Sequence, residues 1–218
     1  VSRYGASFPR RTKITNFGTI EASKVAELDT KLYINREEGF FGTGLKDAEF
    51  VCNCSSLDEI IVILRSGKYF VSRVEEKRFY GEEEVLYIGR YQRGDERTIY
   101  NIMYRDGKIG AVYAKRFNVL SIIRDRVYDL TRGKDGSRIL YLSANANGEA
   151  EKVTIKLKMQ SRKQRLFEFE RDFSLIPIKG KAAVGLLVTK ADISSIKLLS
   201  KGLSTLGGRE VWFDRDIM

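Results

Sequence analysis

The sequence predicts an all-β fold in which small sheets repeat radially, and three observations support this prediction. One cassette recurs along the chain, consisting of an apolar strand, a charged turn that ends in glycine, and a second strand with basic residues. The turn glycines Gly39, Gly67, Gly107 and Gly148 follow one another at intervals of 28, 40 and 41 residues. A period of roughly 40 residues built from strands is typical of radial β arrays. No segment sustains a helical apolar period over three turns.

The cassettes also show where hairpins are expected. They occupy residues 31–40 (KLYINREEGF), 60–69 (IIVILRSGKY), 99–108 (IYNIMYRDGK) and 139–149 (ILYLSANANGE), with a fifth at 177–188. Ser-Gly, Asp-Gly and Asn-Gly favour tight hairpins because glycine reaches positive φ without a Cβ clash. The individual strands are predicted at residues 60–65, 68–74, 85–91, 98–104, 109–116, 138–143, 150–159 and 166–170. We therefore expect about five four-stranded blades.

Length and composition are those of one globular domain. The chain has 218 residues, of which 43% are hydrophobic and 31% charged, enough for one large β domain with a buried interior. Residues 1–13 are basic and are interpreted as a connector from a preceding part of a longer polypeptide, with residues 14–218 as the β domain. No run of about 18 apolar residues occurs, so we expect no membrane partner.

The two cysteines indicate a reducing setting. Cys52 and Cys54 lie two residues apart, so on a strand they would share a face. The chain has no histidine and no further cysteine, so neither a metal site nor a disulfide-rich secreted domain is favoured. Reduced thiols in a cytoplasmic protein are the expected state, with a strained adjacent disulfide as the alternative.

Charge is the main indication of a partner. The formal net charge is +10, and it is uneven: residues 31–60 carry three bases and six acids, whereas residues 101–150 carry nine and five. Residues 151–181 carry nine bases and four acids. One basic flank on a β array is the pattern expected of a nucleic-acid binder. A solubilising surface explains the composition equally well.

The segment 153–159 has the clearest strand alternation. Its apolar residues point to one face, and Lys156 and Lys158 point to the other, about 7 Å apart. Successive phosphates on one DNA strand have a similar spacing, close to 7 Å. A solvated outer face remains the alternative for this strand alone.

Basic residues then recur after each turn, which strengthens the nucleic-acid interpretation. The recurring set is Lys68, Arg73, Lys77, Arg78, Lys108, Lys115, Arg116, Arg132, Lys134, Arg138, Arg162, Lys163, Arg165, Lys179 and Lys181. If each repeat makes one blade, these cations would form a continuous row around a disc. Such a row would hold a bent duplex through its phosphates rather than its bases.

Catalytic sets are missing from the sequence. Without histidine, Ser-His-Asp and Cys-His catalysis are excluded, and no Walker-type loop is present. The fragment is therefore interpreted as a binding module with no catalytic residue, metal or cofactor of its own.

Several segments resemble one family over nearly the whole chain. They are residues 8–15 (FPRRTKIT), 32–45 (LYINREEGFFGTGL), 57–69 (LDEIIVILRSGKY), 98–108 (TIYNIMYRDGK) and 204–214 (STLGGREVWFD). Together they resemble the C-terminal domain of the A subunit of bacterial type IIA topoisomerases, DNA gyrase and topoisomerase IV.

The resemblance implies a β-pinwheel, a disc of five or six propeller-like blades whose outer surface binds and bends duplex DNA. It also implies a holoenzyme that contains an ATPase B subunit together with the rest of the A subunit. ATP and magnesium would serve ATP-dependent strand passage elsewhere in that enzyme. We expect the isolated domain to be monomeric and the enzyme to be cytoplasmic, associated with the nucleoid.

One departure from the family separates its two branches. Gyrase subunits carry a basic glycine-rich box, Gln-Arg-Arg-Gly-Gly-Lys-Gly, and the corresponding region here is residues 40–47 (FFGTGLKD). It keeps glycines but lacks the paired arginines, so the resemblance favours a topoisomerase IV-like protein that decatenates and relaxes. A gyrase wrapping domain with a degenerate box is the alternative, and a β-propeller protein-interaction scaffold is the second alternative.

These arguments give a set of candidate DNA-binding residues. The candidates are Arg10, Arg11, Lys68, Arg73, Lys115, Arg116, Arg138, Lys156, Lys158, Arg162, Lys163, Lys179 and Lys181.

Overall fold

Strands dominate the computed structural model, which describes residues 29–158 and 167–206. Within these residues there are sixteen strands and one short 3-10 turn, Phe173–Leu175. In chain order the strands are β1 (Thr30–Asn35), β2 (Phe40–Gly42), β3 (Glu49–Cys54), β4 (Glu59–Leu64), β5 (Lys68–Arg73), β6 (Arg78–Phe79), β7 (Val85–Tyr91), β8 (Ile99–Arg105), β9 (Val112–Asn118), β10 (Tyr128–Asp129), β11 (Arg138–Asn145), β12 (Lys152–Leu157), β13 (Glu168–Asp172), β14 (Ile178–Gly180), β15 (Leu186–Thr189) and β16 (Ile193–Ser200).

The described strands form four sheets. Sheet 1 has the order β3-β1-β2-β6, and sheet 2 has the order β10-β5-β4-β7. Sheet 3 has the order β11-β8-β9-β14, with β15 also pairing β9, and sheet 4 has the order β13-β12-β16. All pairings are antiparallel among the described strands except that of β14 with β9.

The predicted all-β character is confirmed, and each of the eight predicted strands corresponds to an observed one. Their bounds differ by at most a few residues, the largest shift being at β9. The four turn glycines all have positive φ, between 64° and 94°. Three of the cassettes are hairpins, β1–β2, β4–β5 and β8–β9. Their connections, residues 36–39, 65–67 and 106–111, are longer than two-residue turns.

Two cassettes differ from the prediction. Around Gly148 the flanking strands separate, because β11 pairs with β8 in sheet 3 whereas β12 pairs with β13 and β16 in sheet 4. The cassette at residues 177–188 builds no sheet of its own, since β14 and β15 both add to the free side of β9. The predicted count of five blades is therefore not confirmed in the described residues.

The four sheets pack face to face in series, with one apolar layer in each gap. Sheets 1 and 2 enclose Leu32, Ile34, Phe41, Cys54, Ile60, Val62, Leu64, Phe70, Val85 and Ile88. Sheets 2 and 3 enclose Ile61, Ile63, Tyr69, Val71, Tyr91, Tyr100, Ile102, Tyr104 and Phe117, with Val119, Ile122, Leu130 and Ile139. Sheets 3 and 4 enclose Met103, Val112, Ala114, Ala150, Val153, Ile155, Phe173 and Ile176.

Strand β4 shows why its sequence is apolar without alternation. Ile60, Val62 and Leu64 contact the layer shared with sheet 1, whereas Ile61 and Ile63 contact the layer shared with sheet 3. A strand covered on both faces has no solvent side on which to place polar residues. Functional cations are consequently expected at strand ends and sheet edges.

Both cysteines lie on β3, on the face that packs against sheet 2, as predicted. They are free thiols. Burial raises the pKa of the Cys54 thiol to about 11, and burial also raises the pKa of Cys52. Protonated thiols are poor nucleophiles, so the pair fills space in the core.

Within the described segments, no helix is long and apolar enough to cross a bilayer. The predicted connector, residues 1–13, lies outside the described residues.

Replacing Gly39 by alanine should unfold the protein more readily than replacing Gly94. The two glycines have φ of 74° and 75°, so the backbone cost of roughly 1–2 kcal/mol for an L residue is shared. A Cβ at Gly39 would lie 2.1 Å from the Gly81 carbonyl oxygen, whereas nothing lies within 4 Å of one at Gly94. We expect Gly39→Ala to cost about 2 kcal/mol more than Gly94→Ala in urea unfolding. Equal losses would contradict the tight turn packing.

Candidate nucleic-acid interface

The candidate cations divide into groups with different environments. Arg10, Arg11, Arg162 and Lys163 lie outside the described residues. The other nine are described and fall into buried, ion-paired and solvent-exposed sets. Lys68 and Arg73 stand at opposite ends of β5, so these two candidates are not adjacent.

Lys115 differs from the prediction because its side chain is buried, with 2% exposure. Its ammonium group donates hydrogen bonds to the carbonyl oxygens of Lys181 (2.7 Å) and Ala183 (2.9 Å). It also lies 5.2 Å from the ring centroid of Phe117 and 5.8 Å from that of Tyr104. Lys115 therefore anchors the segment between β14 and β15 instead of projecting to solvent.

Arg116 is buried to the same extent, on the opposite face of β9. Its guanidinium donates to Asn101 Oδ1 (2.9 Å), the Gly148 carbonyl (2.9 Å) and Thr205 Oγ1 (2.8 Å). Asn101 in turn donates to Glu151 Oε2 at 2.8 Å. We call Arg116, Asn101, Glu151 and Thr205 the buried network. Arg116 holds the chain together at the junction of sheets 3 and 4, which removes it from the set of surface cations.

Two candidates on strand surfaces are partly neutralised. Lys68 lies 3.6 Å from a carboxylate oxygen of Glu83, and Lys156 lies 3.3 Å from one of Glu168. All four side chains are about half exposed, so each pair stabilises the fold by at most about 1 kcal/mol. Lys156 does project from the exposed face of β12, as the alternation predicted.

The densest group of cations lies where the β8–β9 hairpin turns. Lys158 belongs to it because its backbone N–H donates to the Asp192 carbonyl at 2.7 Å. We define the hairpin cluster as Arg105, Lys108, Arg132, Lys134, Arg138 and Lys158. Three carboxylates, those of Asp106, Asp135 and Asp192, accompany these six cations.

The electrostatics of the hairpin cluster favour a further anion. Arg138 on β11 stands directly opposite Arg105 on β8, and like charges in that position repel. Asp192 is paired with Arg105. The hydrogen bond and charge of Arg105, with smaller contributions from Lys158 and Arg138, lower the pKa of the Asp192 carboxyl. One carboxylate thus serves three cations, which leaves excess positive charge at the surface.

A second basic group surrounds Tyr128, where sheets 2 and 3 meet. The Lys181 ammonium lies 4.9 Å from the Tyr128 ring centroid, and the Arg126 guanidinium lies 5.3 Å from it. Lys179, two residues before Lys181, is exposed on β14. We call Arg126, Tyr128, Lys179 and Lys181 the tyrosine cluster. Of the predicted candidates, Lys181 contacts the aromatic ring, and Lys179 is its near neighbour along the chain.

Sequence reasoning missed Arg105, Asp192 and Arg126. Arg105 belongs to a recurring cassette and could have been found as a base at a strand end. Asp192 carries no local signal, because its partner Arg105 lies 87 residues away in the sequence. Arg126 lies only two residues before Tyr128, and nothing in the sequence pattern marks its contact with that ring.

The glycine-bearing loop at residues 40–47 is occupied by contacts within the protein. Thr43 N–H donates to the Glu75 carbonyl (3.0 Å), and Gly44 N–H donates to that of Glu76 (2.9 Å). Amides that could cradle an anion are therefore already bonded. Within the described part of the chain, no group of three or more metal-ligating side chains occurs.

The described residues form a β-sheet protein that presents clustered cations. The chain belongs to the family described as topoisomerase C-terminal domain, Bacteroidota, whose model matches residues 31–201.

Two individual relatives agree with this assignment. The A subunit of DNA topoisomerase 4 from Borreliella burgdorferi is 30% identical over 135 residues, covering 62% of this chain and 21% of that protein. The chain thus spans about a fifth of the length of that relative. The crystal structure of the C-terminal domain of DNA topoisomerase IV superposes with a TM-score of 0.53 at 11% identity, covering 79% of this chain and 62% of the other. This likeness confirms the predicted β-pinwheel class.

Lys115 should make stability depend on alkaline pH. Burial lowers its pKa from 10.5 to about 8. Between these values the unfolded chain binds a proton that the folded chain has lost, so stability rises with pH. Between pH 8 and pH 10, wild type should gain about 2 kcal/mol relative to Lys115→Met, measured by urea unfolding. If the free energy of unfolding changed with pH in the same way for both proteins, titration of Lys115 in this range would be excluded.

Removing Arg116 should destabilise the fold strongly. Arg116→Met removes three hydrogen bonds and leaves Asn101 Oδ1 without its arginine donor, whereas the Gly148 carbonyl still accepts from Thr205. The buried Glu151 also loses its neighbouring positive charge, so we expect a total cost of about 3–5 kcal/mol. The control Arg126→Met removes an exposed arginine and should cost less than about 1 kcal/mol. Urea unfolding of both variants tests this, and similar losses would mean that the buried network is dispensable.

Proposed function

We propose that this chain binds and bends duplex DNA as the C-terminal domain of a topoisomerase IV-like A subunit. Family membership and the similarity to the A subunit of DNA topoisomerase 4 from Borreliella burgdorferi support this assignment. The observation that carries DNA binding is the hairpin cluster, in which six cations, one of them the buried Arg105, accompany three carboxylates. Phosphates supply the counter-charge that this surface lacks.

We infer bending of the DNA from the size of the domain and from the separation of its two cationic clusters. Smooth bending of a short duplex costs on the order of 1–6 kcal/mol. The hairpin cluster lies where β9 begins, whereas Lys179 of the tyrosine cluster pairs in register with Phe117 near the end of β9, so the two clusters offer contacts at separate places. Several phosphate contacts together offset that cost. The domain would then present the held segment to the strand-passage core.

The remainder of the enzyme is proposed from the same family assignment. An ATPase B subunit would assemble with this domain through the rest of the A subunit, with ATP and magnesium acting in those other parts. The proposed setting is the cytoplasm, at the nucleoid.

The bonded amides at Thr43 and Gly44 support the topoisomerase IV-like branch over gyrase. Because these amides are already bonded and residues 40–47 contain no paired arginines, the loop has few groups that could bind the phosphates of wrapped DNA. A domain of this kind would favour decatenation and relaxation.

The alternative of a protein-interaction scaffold rests on exposed aromatic side chains. Phe79 is more than half exposed and packs on Phe40, whose ring also contacts the Lys77 ammonium at 4.1 Å. A scaffold would bind DNA weakly and without a steep response to salt, which separates it from the first proposal.

DNA binding should weaken steeply with salt. With about six to ten phosphate contacts, affinity for a duplex should fall roughly 10³–10⁵-fold between 50 and 200 mM salt. Fluorescence anisotropy with the 218-residue chain measures this fall. A flat response would contradict DNA binding through phosphates.

The hairpin cluster should account for part of that salt response. Arg138→Gln combined with Lys158→Gln removes two exposed cations and should lower the slope of log affinity against log salt by about two. The control, Lys31→Gln with Lys46→Gln, makes the same charge change in and beside sheet 1, outside both clusters. Equal slopes for variant and control would remove the hairpin cluster from the interface.

A further inference from the structure

A recess lies at the ends of β4, β5 and β7 that are remote from the β4–β5 turn. Its volume is about 880 Å³. Glu59 on β4 pairs in register with Arg73 on β5 and with Tyr91 on β7, which places these three residues at the recess wall. Arginines line it from separate segments, namely Arg73, Arg90, Arg93 and Arg124.

The carboxylates of the recess are already engaged by other groups. Asp58 is paired with Arg90 at 2.8 Å and accepts from the Ser55 N–H at 2.9 Å. Glu59 is paired with Arg124 at 3.0 Å. Asp95 accepts from the backbone N–H of Arg97 at 2.8 Å. All three of these acidic side chains are thus engaged by neighbouring groups, and four arginines line the same recess.

Arg73 and Arg93 are left without such a partner. Although Glu59 is the register partner of Arg73, its carboxylate is taken by Arg124. Neither Arg73 nor Arg93 forms an ion pair among the described residues, and both are exposed. Arg93 makes one long contact, from Nη2 to the Ile122 carbonyl at 3.4 Å, so most of its N–H groups are available.

An unsatisfied hydroxyl lies beneath the same wall. Tyr91 is 7% exposed, and its hydroxyl has no hydrogen-bond partner among the described residues. Buried hydroxyl groups are normally bonded, so this one is a donor left unsatisfied beside the arginines. Because the ring packs in the layer between sheets 2 and 3, the oxygen is closed off from solvent, and the arginines alone supply the donors that face the recess.

We propose that this recess binds phosphate groups, with Arg73 and Arg93 as the ligands that supply the uncompensated charge. Guanidinium groups bind phosphate oxygens through pairs of parallel hydrogen bonds. An arginine that is not paired with a carboxylate has its N–H groups available for such bonds. The volume suits a phosphodiester segment or a free polyphosphate rather than a single small ion. The recess lies at the opposite end of β5 from Lys68, and of the described candidate DNA-binding residues Arg73 alone lines it.

The phosphate can come from duplex DNA or from a free phosphate compound, and two measurements distinguish these sources. The first measurement is fluorescence anisotropy of duplex binding, which gives the slope of log affinity against log salt and rests on the proposed function. The second is calorimetric titration with inorganic pyrophosphate, which does not depend on the proposed function. The variants are Arg73→Gln with Arg93→Gln, and the matched control Lys31→Gln with Lys46→Gln.

If the backbone of DNA is the source, the recess variant should lower the salt slope by about two relative to the control. If a free compound is the source, wild type and control should bind pyrophosphate, the recess variant should lose at least tenfold in affinity, and its salt slope should match the control. Should the recess variant behave like the control in both measurements, the proposal is wrong. A flat salt response of the wild type would instead count against DNA binding and leave the pyrophosphate arm valid.

Because both arginines are exposed, we expect the recess variant to fold, and its urea unfolding midpoint checks this. Single variants give a second test, because Arg73→Gln and Arg93→Gln should each produce about half of the change in slope. Arg73→Lys with Arg93→Lys keeps the charge but loses the planar fork, and it should retain the slope while weakening pyrophosphate binding. If the lysine variant bound pyrophosphate as tightly as wild type, paired hydrogen bonding by arginine would be excluded.

Discussion

Coverage of the central strands on both faces is the constraint on which this structure depends. β4 and β8 each lie between two apolar layers, so four sheets become one body. Such strands cannot carry solvated side chains along their length. Charge is therefore displaced to strand ends and sheet edges, where the hairpin cluster, the tyrosine cluster and the arginine recess all occur.

The gap between sheets 3 and 4 departs from this apolar pattern. Beside Met103 and Val153 it contains the buried network, in which Arg116 reaches Asn101, the Gly148 turn and Thr205. A buried arginine is costly unless its donors and charge are satisfied, so the network specifies one arrangement of the two sheets. It also ties residues near the end of the described chain to a turn more than fifty positions earlier.

Local sequence patterns predicted much of the fold, whereas features that depend on long-range strand pairing could not be predicted. The eight strands and the turn glycines follow from apolar runs and positive φ, which are properties of short segments. The partners of β12 are not local, so the division at Gly148 could not be foreseen. Lys115 and Arg116 looked like surface cations because adjacent residues of a strand alternate, but β9 is covered on both faces. Arg138 with Lys158, and Lys179 with Lys181, were identified from sequence and do share clusters. Arg73 was a predicted candidate, but the recess itself was missed because its arginines come from separated segments.

The segment held by Lys115 has a consequence for assembly. β14 and β15 together cover β9 from Val112 to Asn118, one in parallel and the other antiparallel. An uncovered strand of this length would expose a ladder of amide and carbonyl groups able to recruit a strand from another molecule. By supplying both partners from its own chain, the protein replaces the long edge of β9 with two short strands of opposite direction, which disfavours edge-to-edge growth there.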